Sequence, residues 1–315
     1  MNKVALIIIF NHNYEENIDT LLKIYENRFT NIWFVIPFYK GDRKNVIKVF
    51  DNSYYFHGFI AHAIDQIKHI GFEFYFTIAD DLFLNPAINE SNFEEIFKLD
   101  KDSAFVPKPF LLTDLKETKP SRPFAPFWNG IILALKFKIK QNGLLLNKVL
   151  PSFSEAENLI NSHGFNFKSK IPKRIFFSIP LFGFKNQRHN NNLRRIIFSI
   201  KNIKYLFKKN KLNYPLIGSY SDIVIVPNSN LNKFIDYCGA FAASNLFVEI
   251  ALPTSLLLAF SKVISENDLK LKGETYWYYN HQNCELKYKK SIKYLTENFD
   301  QKSLYVHPIK LSKWK

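Results

Sequence analysis

The run Phe72-Glu-Phe-Tyr-Phe-Thr-Ile-Ala-Asp80-Asp81 constrains this chain more than any other stretch. The aromatic and β-branched residues from Phe72 to Ile78 predict a buried strand, and turn-prone Asn85-Pro86 follows shortly after. Two adjacent carboxylates at the end of such a strand are poorly placed for stability. Like charges repel, and leaving water is costly without a compensating cation. A divalent cation carrying a phosphate ligand would supply that compensation. Open α/β sheets also bind ligands at the carboxyl ends of their strands. The plainer alternative is a solvated acidic turn.

The residues around this run alternate between strand and helix patterns. Val4–Phe10 and Ile32–Pro37 predict strands, and Val46–Phe50 a short strand or helix. Ile18, Leu21, Leu22 and Tyr25 within Glu15–Glu26 have the spacing of an amphipathic helix, and Ile60, Ala63, Ile64 and Ile67 repeat it within Phe59–Ile70. This βαβ rhythm predicts an α/β fold with a mostly parallel central sheet. Pro107, Pro109, Pro120, Pro123 and Pro126 break up residues 104–135. Farther on, Ile223–Val226 predicts a strand, Leu231–Tyr237 a helix, and Phe247–Phe260 a longer helix kinked or broken at Pro253. Lys289–Phe299 predicts a last amphipathic helix and Leu304–Ile309 a terminal strand or arm.

The formal net charge of +15 implies an anionic partner: nucleic acid, a membrane surface or phosphorylated substrates. The charge is concentrated. From Lys136 to Lys211 there are 17 Lys and Arg, and the only acids are Glu155 and Glu157. The chain therefore divides into an α/β half at 1–135, a basic, aromatic-rich insertion at 136–212, and a second half at 213–315. Within the insertion, Asn192 to Lys209 can form a helix with a wide apolar face and a cationic rim, as on an anionic lipid surface. An ordinary lysine-rich surface helix is the alternative. Cys238 and Cys284 form neither a disulfide framework nor a zinc motif, which favours a reducing cytosol. Val4–Phe10 is too short for a signal-peptide core, and no run of ~20 apolar residues predicts a membrane span. The expected location is cytoplasmic, peripheral on the inner face of the cell membrane.

Three further places can carry chemistry. Glu249 lies within the apolar stretch Cys238–Pro253, and a buried carboxylate needs a partner or an elevated pKa; either suits a catalytic base. A glutamate on the polar face of a helix is the alternative. His307, in Tyr305-Val-His307-Pro-Ile-Lys310, is a candidate ligand for a metal such as Mn²⁺, and Lys310 and Lys313 could neutralise phosphate oxygens. A structural histidine is the alternative there. Asn11-His12-Asn13 follows the first strand, where a nucleotide base or ribose could lie.

In this order, these pieces resemble the GT-A-type glycosyltransferases that use nucleotide sugars, of the kind that build bacterial surface polysaccharide. The resemblance covers most of the chain, except the basic middle. Ala79-Asp80-Asp81 stands where that family has its metal-binding DxD-like motif, with Ala79 departing from the strict pattern. The resemblance implies Asp81 as the metal ligand and Asp80 on the donor ribose or sugar; Asp80 as ligand stays open. Glu249 stands at the head of a late helix, where inverting members have their catalytic base. His307 stands where many members place an additional metal ligand. Implied with them are Mn²⁺ or Mg²⁺, a nucleotide-sugar donor (most commonly a UDP-sugar) and a glycan or lipid-linked acceptor, as in lipopolysaccharide or capsule synthesis. Asn11, His12, Asp80 and Lys310 would contact the donor. Trp128 and Asn129 would contact the acceptor, although Trp128 serves equally well as a core residue. The 1–135 half would bind the nucleotide sugar and 213–315 would carry the base and a C-terminal metal-binding arm. The basic helical insertion at 136–212 would meet the acceptor or an anionic membrane surface. A retaining enzyme would not need Glu249 as base.

Two other classes compete. A polybasic nucleic-acid- or membrane-binding protein without catalysis would explain the charge. Against nucleic acid, the chain has no helix-turn-helix, zinc-finger or RNA-recognition signature. A nucleotidyltransferase would open with a glycine- and arginine-rich loop after its first strand; here that place holds Asn11-His12-Asn13-Tyr14-Glu15, with no glycine until Gly41.

Overall fold

Strand β1 (Asn2–Ile9) is buried from Val4 through Ile9, as a strand covered on both faces requires. A computed structural model describes residues 2–114, 125–140, 143–172, 209–276 and 281–314. In it β1 pairs in parallel with β2 (Ile32–Pro37) and β4 (Phe72–Ala79), and β2 pairs in parallel with β3 (Val46–Val49). The short strand β5 (Phe83–Leu84) follows β4 but belongs to a separate sheet. Strands β6 (Ser103–Phe105) and β10 (Lys262–Ile264) pair in parallel with each other. Between β4 and β6 lies β9 (Ile223–Pro227), antiparallel to both. The sheet order is β10-β6-β9-β4-β1-β2-β3. It is the mostly parallel central sheet of a mixed α/β fold, built from segments on both sides of the basic middle.

Successive residues of a strand point to opposite faces, and β1 shows the consequence. Ala5, Ile7 and Ile9 join one apolar core, and Val4, Leu6 and Ile8 join the other. The first core includes residues of α2 (Phe56–Ile67), α4 (Ala125–Lys136), α5 (Leu146–Val149) and α6 (Phe153–Ser162), with α7 (Leu231–Ala243) and α8 (Val248–Ala259). The second includes α1 (Asn17–Tyr25), α3 (Phe93–Phe97), α9 (His281–Lys287) and α10 (Ile292–Glu297). It also takes in a small second sheet, in which β12 (Ser303–His307) lies between β11 (Lys272–Thr275) and β5. A third sheet is the pair β7 (Phe110–Leu111) and β8 (Ile217–Gly218).

The excess of phenylalanine is used in the second core. Phe29, Phe76, Phe97 and Phe105 form a chain of edge-to-face contacts with centroid separations of 5.9, 5.4 and 4.7 Å. Such pairs add about 0.5–1.5 kcal/mol each beyond the area they bury.

Three elements differ from the sequence expectation. Residues 125–136 form a helix despite Pro126, because a proline in the first turn lacks an N–H that would have no partner there. Helix α8 runs through Pro253 without interruption. The last helix is confined to Ile292–Glu297, since Lys289 and Lys290 take φ of 53° and 51°, outside the right-handed helical region. Val46–Val49 is a strand, one of the two forms expected there. The helix expected over Asn192–Lys209 falls almost wholly outside the described residues. Among the described residues, no helix is long and apolar enough to cross a membrane.

Candidate functional site

The carboxyl end of β4 is fixed from both sides. The Asp80 N–H donates to the Ile9 carbonyl at 2.9 Å, continuing the β1 ladder. The Ala79 N–H donates to the Asp222 carbonyl at 2.8 Å on the β9 side. Because β9 runs antiparallel, its beginning lies at the edge where the parallel strands end. Asp222, one residue before β9, therefore arrives beside Asp80 and Asp81. Asp80 is buried, and its Oδ1 accepts from the Asn11 N–H at 3.2 Å.

His307 reaches the same edge through the second sheet. Strand β12 is antiparallel to β5, with Val306 opposite Phe83, so its end returns to the place where β5 leaves Asp81. The Ile309 N–H then donates to the Asp81 carbonyl at 2.7 Å. His307 Nε2 lies 3.2 Å from Asp81 Oδ1, and His307 Nδ1 lies 3.7 Å from Asp222 Oδ2. The imidazole thus stands between two carboxylates.

Glu249 sits in the first turn of α8, where a carboxylate is favoured by the helix dipole. Pro253 lacks an N–H, so the Glu249 carbonyl four residues earlier has no helical donor. The Ser219 N–H fills it at 2.9 Å. Ser221 Oγ lies 3.5 Å from the Val248 carbonyl, and Thr254 Oγ1 accepts from the Ile217 N–H at 3.0 Å. These bonds lay the segment before Asp222 along the start of α8, and the proline makes the central one available.

The electrostatics follow from this crowding. Burial pushes the Glu249 carboxyl well above its ordinary range, and the Asp222 carboxylate adds to the push while His307 opposes it. Its Oε2 is buried without a hydrogen-bond partner. Burial also raises Asp222, partly countered by His307, and raises Asp80, with the Asp81 carboxylate adding to the rise. For His307, burial favours the neutral ring, but Asp222, Asp81 and Glu249 together outweigh it and raise the imidazole to about 9. One cation among four acids leaves a site short of positive charge.

The expected site residues are distributed as follows. Asp80, Asp81, Glu249 and His307 converge, with the Asn11 backbone on Asp80. His12 is exposed beyond β1, its ring 5.7 Å from that of Tyr14. Lys310 is exposed, and with Lys290 and Lys313 adds to the effect of burial in lowering the pKa of His281. Trp128 and Asn129 lie in α4, but their side chains fall outside what is described. Their neighbour Gly130 is packed so closely that a Cβ there would stand 2.5 Å from Cδ1 of Phe247, the N-cap residue of the Glu249 helix. The sequence analysis missed Asp222 as a site residue. Its one visible signal was an acid directly before a strand-like run, which points to this edge only once β9 is known to be antiparallel.

Mn²⁺ or Mg²⁺ can be tested against this geometry. Two neighbouring ligands of an octahedral ion with bonds of about 2.1 Å stand about 3.0 Å apart. Asp81 Oδ1 and His307 Nε2, 3.2 Å apart, fit that separation, and a bound ion would take the place of the imidazolium proton between them. No group of three or more His, Cys, Asp or Glu able to hold a metal occurs among the described residues. The fit is therefore to an ion that takes one carboxylate and one imidazole from the protein and its remaining ligands from substrate phosphates and water, as Mg²⁺ commonly does with carboxylates and phosphates. Comparison of the chain with protein-family models, with curated proteins and with solved structures found no match.

Proposed function

We propose that this protein is a metal-assisted glycosyltransferase of GT-A-like fold, moving a sugar from a nucleotide-diphosphate donor to a glycan or lipid-linked acceptor. The observation that carries this reading is the meeting of Asp81 and His307, from the first and last thirds of the chain, at 3.2 Å and at the carboxyl edge of a mostly parallel sheet. That edge is where α/β sheets bind nucleotides. A UDP-sugar is the first donor to test, and a surface polysaccharide such as lipopolysaccharide or capsule is the product class proposed.

In this reading Asp81 and His307 hold Mn²⁺ or Mg²⁺ against the donor diphosphate. The ion, when bound, offsets the charge that develops on the departing nucleoside diphosphate. Asp222 turns the His307 ring so that Nε2 faces Asp81, the usual role of a carboxylate behind a metal-binding histidine. Asp80, held by the Asn11 N–H, faces the donor ribose or sugar, with Asn11 and His12 toward the nucleoside and Lys310 toward the phosphates. Glu249 takes the proton from the acceptor hydroxyl as that oxygen attacks the anomeric carbon, which inverts its configuration. Its raised pKa makes it a stronger base once deprotonated. Trp128 and Asn129 are proposed on the acceptor side. The basic segment 136–212 is proposed to hold the protein at the inner face of an anionic membrane.

The test is release of nucleoside diphosphate from a panel of nucleotide sugars, with Mn²⁺ or with chelator, on wild type and Asp81→Ala. Metal-dependent release from one donor, absent in Asp81→Ala, is expected. Absence of release from every donor, or release indifferent to Asp81, would contradict the proposal.

A further inference from the structure

A cavity of about 490 Å³ opens between α1 and α10, with Phe83 and Pro86 also in its lining. Its lining includes Lys23, Arg28 and Lys293 and no acid. None of the lining residues belongs to the acid cluster described above.

Arg28 is the unusual member. Its Nε donates to the Ile88 carbonyl at 2.8 Å and its Nη2 to the Asn85 carbonyl at 2.6 Å. Its guanidinium carbon lies 5.0 Å from the Tyr25 ring centroid and 5.9 Å from that of Phe29. All four partners are neutral, and no carboxylate pairs with Arg28 among the described residues. A half-buried guanidinium normally has an anionic partner, because desolvating a charge is costly. Of its five N–H donors, the two on Nη1 have no hydrogen-bond acceptor among the described residues. The nearby acids are committed elsewhere or lie outside the lining. Lys23 acts on Asp19, which Arg43 already binds at 2.8 Å, and Lys293 stands 3.9 Å from exposed Glu297.

Lys293 has a long, exposed pair with Glu297 and Lys23 shares Asp19 with Arg43, so both are free to turn toward an anion that enters the cavity beside Arg28. A phosphoryl group suits them better than a carboxylate, since it carries up to two charges and has oxygens for both the planar guanidinium and the ammonium groups. The apolar part of the lining suits an organic substituent. We propose that this cavity is a second ligand site, which takes the phosphoryl group of a small organic phosphate between Lys23, Arg28 and Lys293 with its organic part against Phe83 and Pro86. The proposal stands independently of the transferase reading.

The experiment is calorimetric titration of inorganic phosphate and of phenyl phosphate at constant ionic strength, without divalent metal. It uses wild type, Asp81→Ala and the Lys23→Gln/Lys293→Gln double variant, whose two lysines are exposed and whose folding is checked by its thermal midpoint. Wild type and Asp81→Ala should bind alike, with phenyl phosphate the tighter ligand and the double variant weaker by at least about tenfold. No binding to wild type, undiminished binding to the double variant, or loss in Asp81→Ala would each overturn the proposal.

Discussion

His307 Nδ1 lies 3.7 Å from Asp222 Oδ2, so one carboxylate stands behind the imidazole while Asp81 stands in front. Asp222→Asn keeps the shape and removes the carboxylate that orients the ring with Nε2 toward Asp81. Affinity for Mn²⁺ in the presence of a nucleoside diphosphate should fall by about 10–100-fold. Calorimetric Mn²⁺ titration checks this, and unchanged affinity would remove Asp222 from the site.

Glu249→Gln separates base from binding. Turnover should fall by about 10²–10⁴-fold while donor affinity holds. The variant should also change the pH dependence of stability. A carboxyl whose folded pKa is raised is destabilising once the pH exceeds its unfolded value near 4.3, because the unfolded chain can ionise and the folded one cannot. The Gln variant should therefore gain in thermal midpoint over wild type as the pH rises from about 5. A constant difference across pH would show that Glu249 ionises freely in the folded protein.

His57 governs the acid side. It is fully buried in α2, neither ring nitrogen makes an aligned hydrogen bond, and burial lowers its pKa to about 3, against a smaller opposing effect of the Phe241 carbonyl. The unfolded histidine takes its proton near 6.5, so this group's stability is complete above that pH and is lost as pH falls toward 3. The loss amounts to at most about 5 kcal/mol. His57→Phe should flatten the acid limb of a stability-against-pH curve measured by urea unfolding. An unchanged acid limb would contradict the buried neutral ring.

Much of the fold was legible in the chain. β2 and the Val4–Ile9 part of β1 are uninterrupted apolar runs, and β4 is broken only by Glu73 and Thr77; a strand buried on both faces can be little else. The acids after β4 and the histidine that ends β12 were visible for the same reason: each is a polar break in an apolar run. Asp222 was not, because its position depends on the direction of β9, which local pattern does not encode. The continuity of α8 was not legible either. Proline normally interrupts a helix, and the Ser219 N–H that satisfies the freed Glu249 carbonyl comes from a distant segment.

Gly130 links α4 to the turn that carries Glu249. A methyl group there would meet Phe247 Cδ1 at 2.5 Å and Ile250 Cδ1 at 3.2 Å, the two residues flanking Val248-Glu249. Phe247 cannot easily retreat, as Tyr54 packs on it with ring centroids 4.6 Å apart. Gly130→Ala should cost about 1–3 kcal/mol by overpacking, outweighing the gain in helix propensity. Chemical denaturation measures the sum, and a stabilised variant would show that α4 packs more loosely against α8.

The central claim is that Asp81 and His307 jointly hold a metal against a nucleoside diphosphate. The most direct measurement is the thermal midpoint of wild type, Asp81→Ala and His307→Ala with UDP and other nucleoside diphosphates, with and without Mn²⁺. At a hundredfold excess over the dissociation constant, binding stabilises by about 2.7 kcal/mol, enough to see plainly. The expected result is a Mn²⁺-dependent rise with at least one nucleotide in wild type, lost in both variants. No rise with any nucleotide, or a rise that survives both substitutions, would contradict the claim.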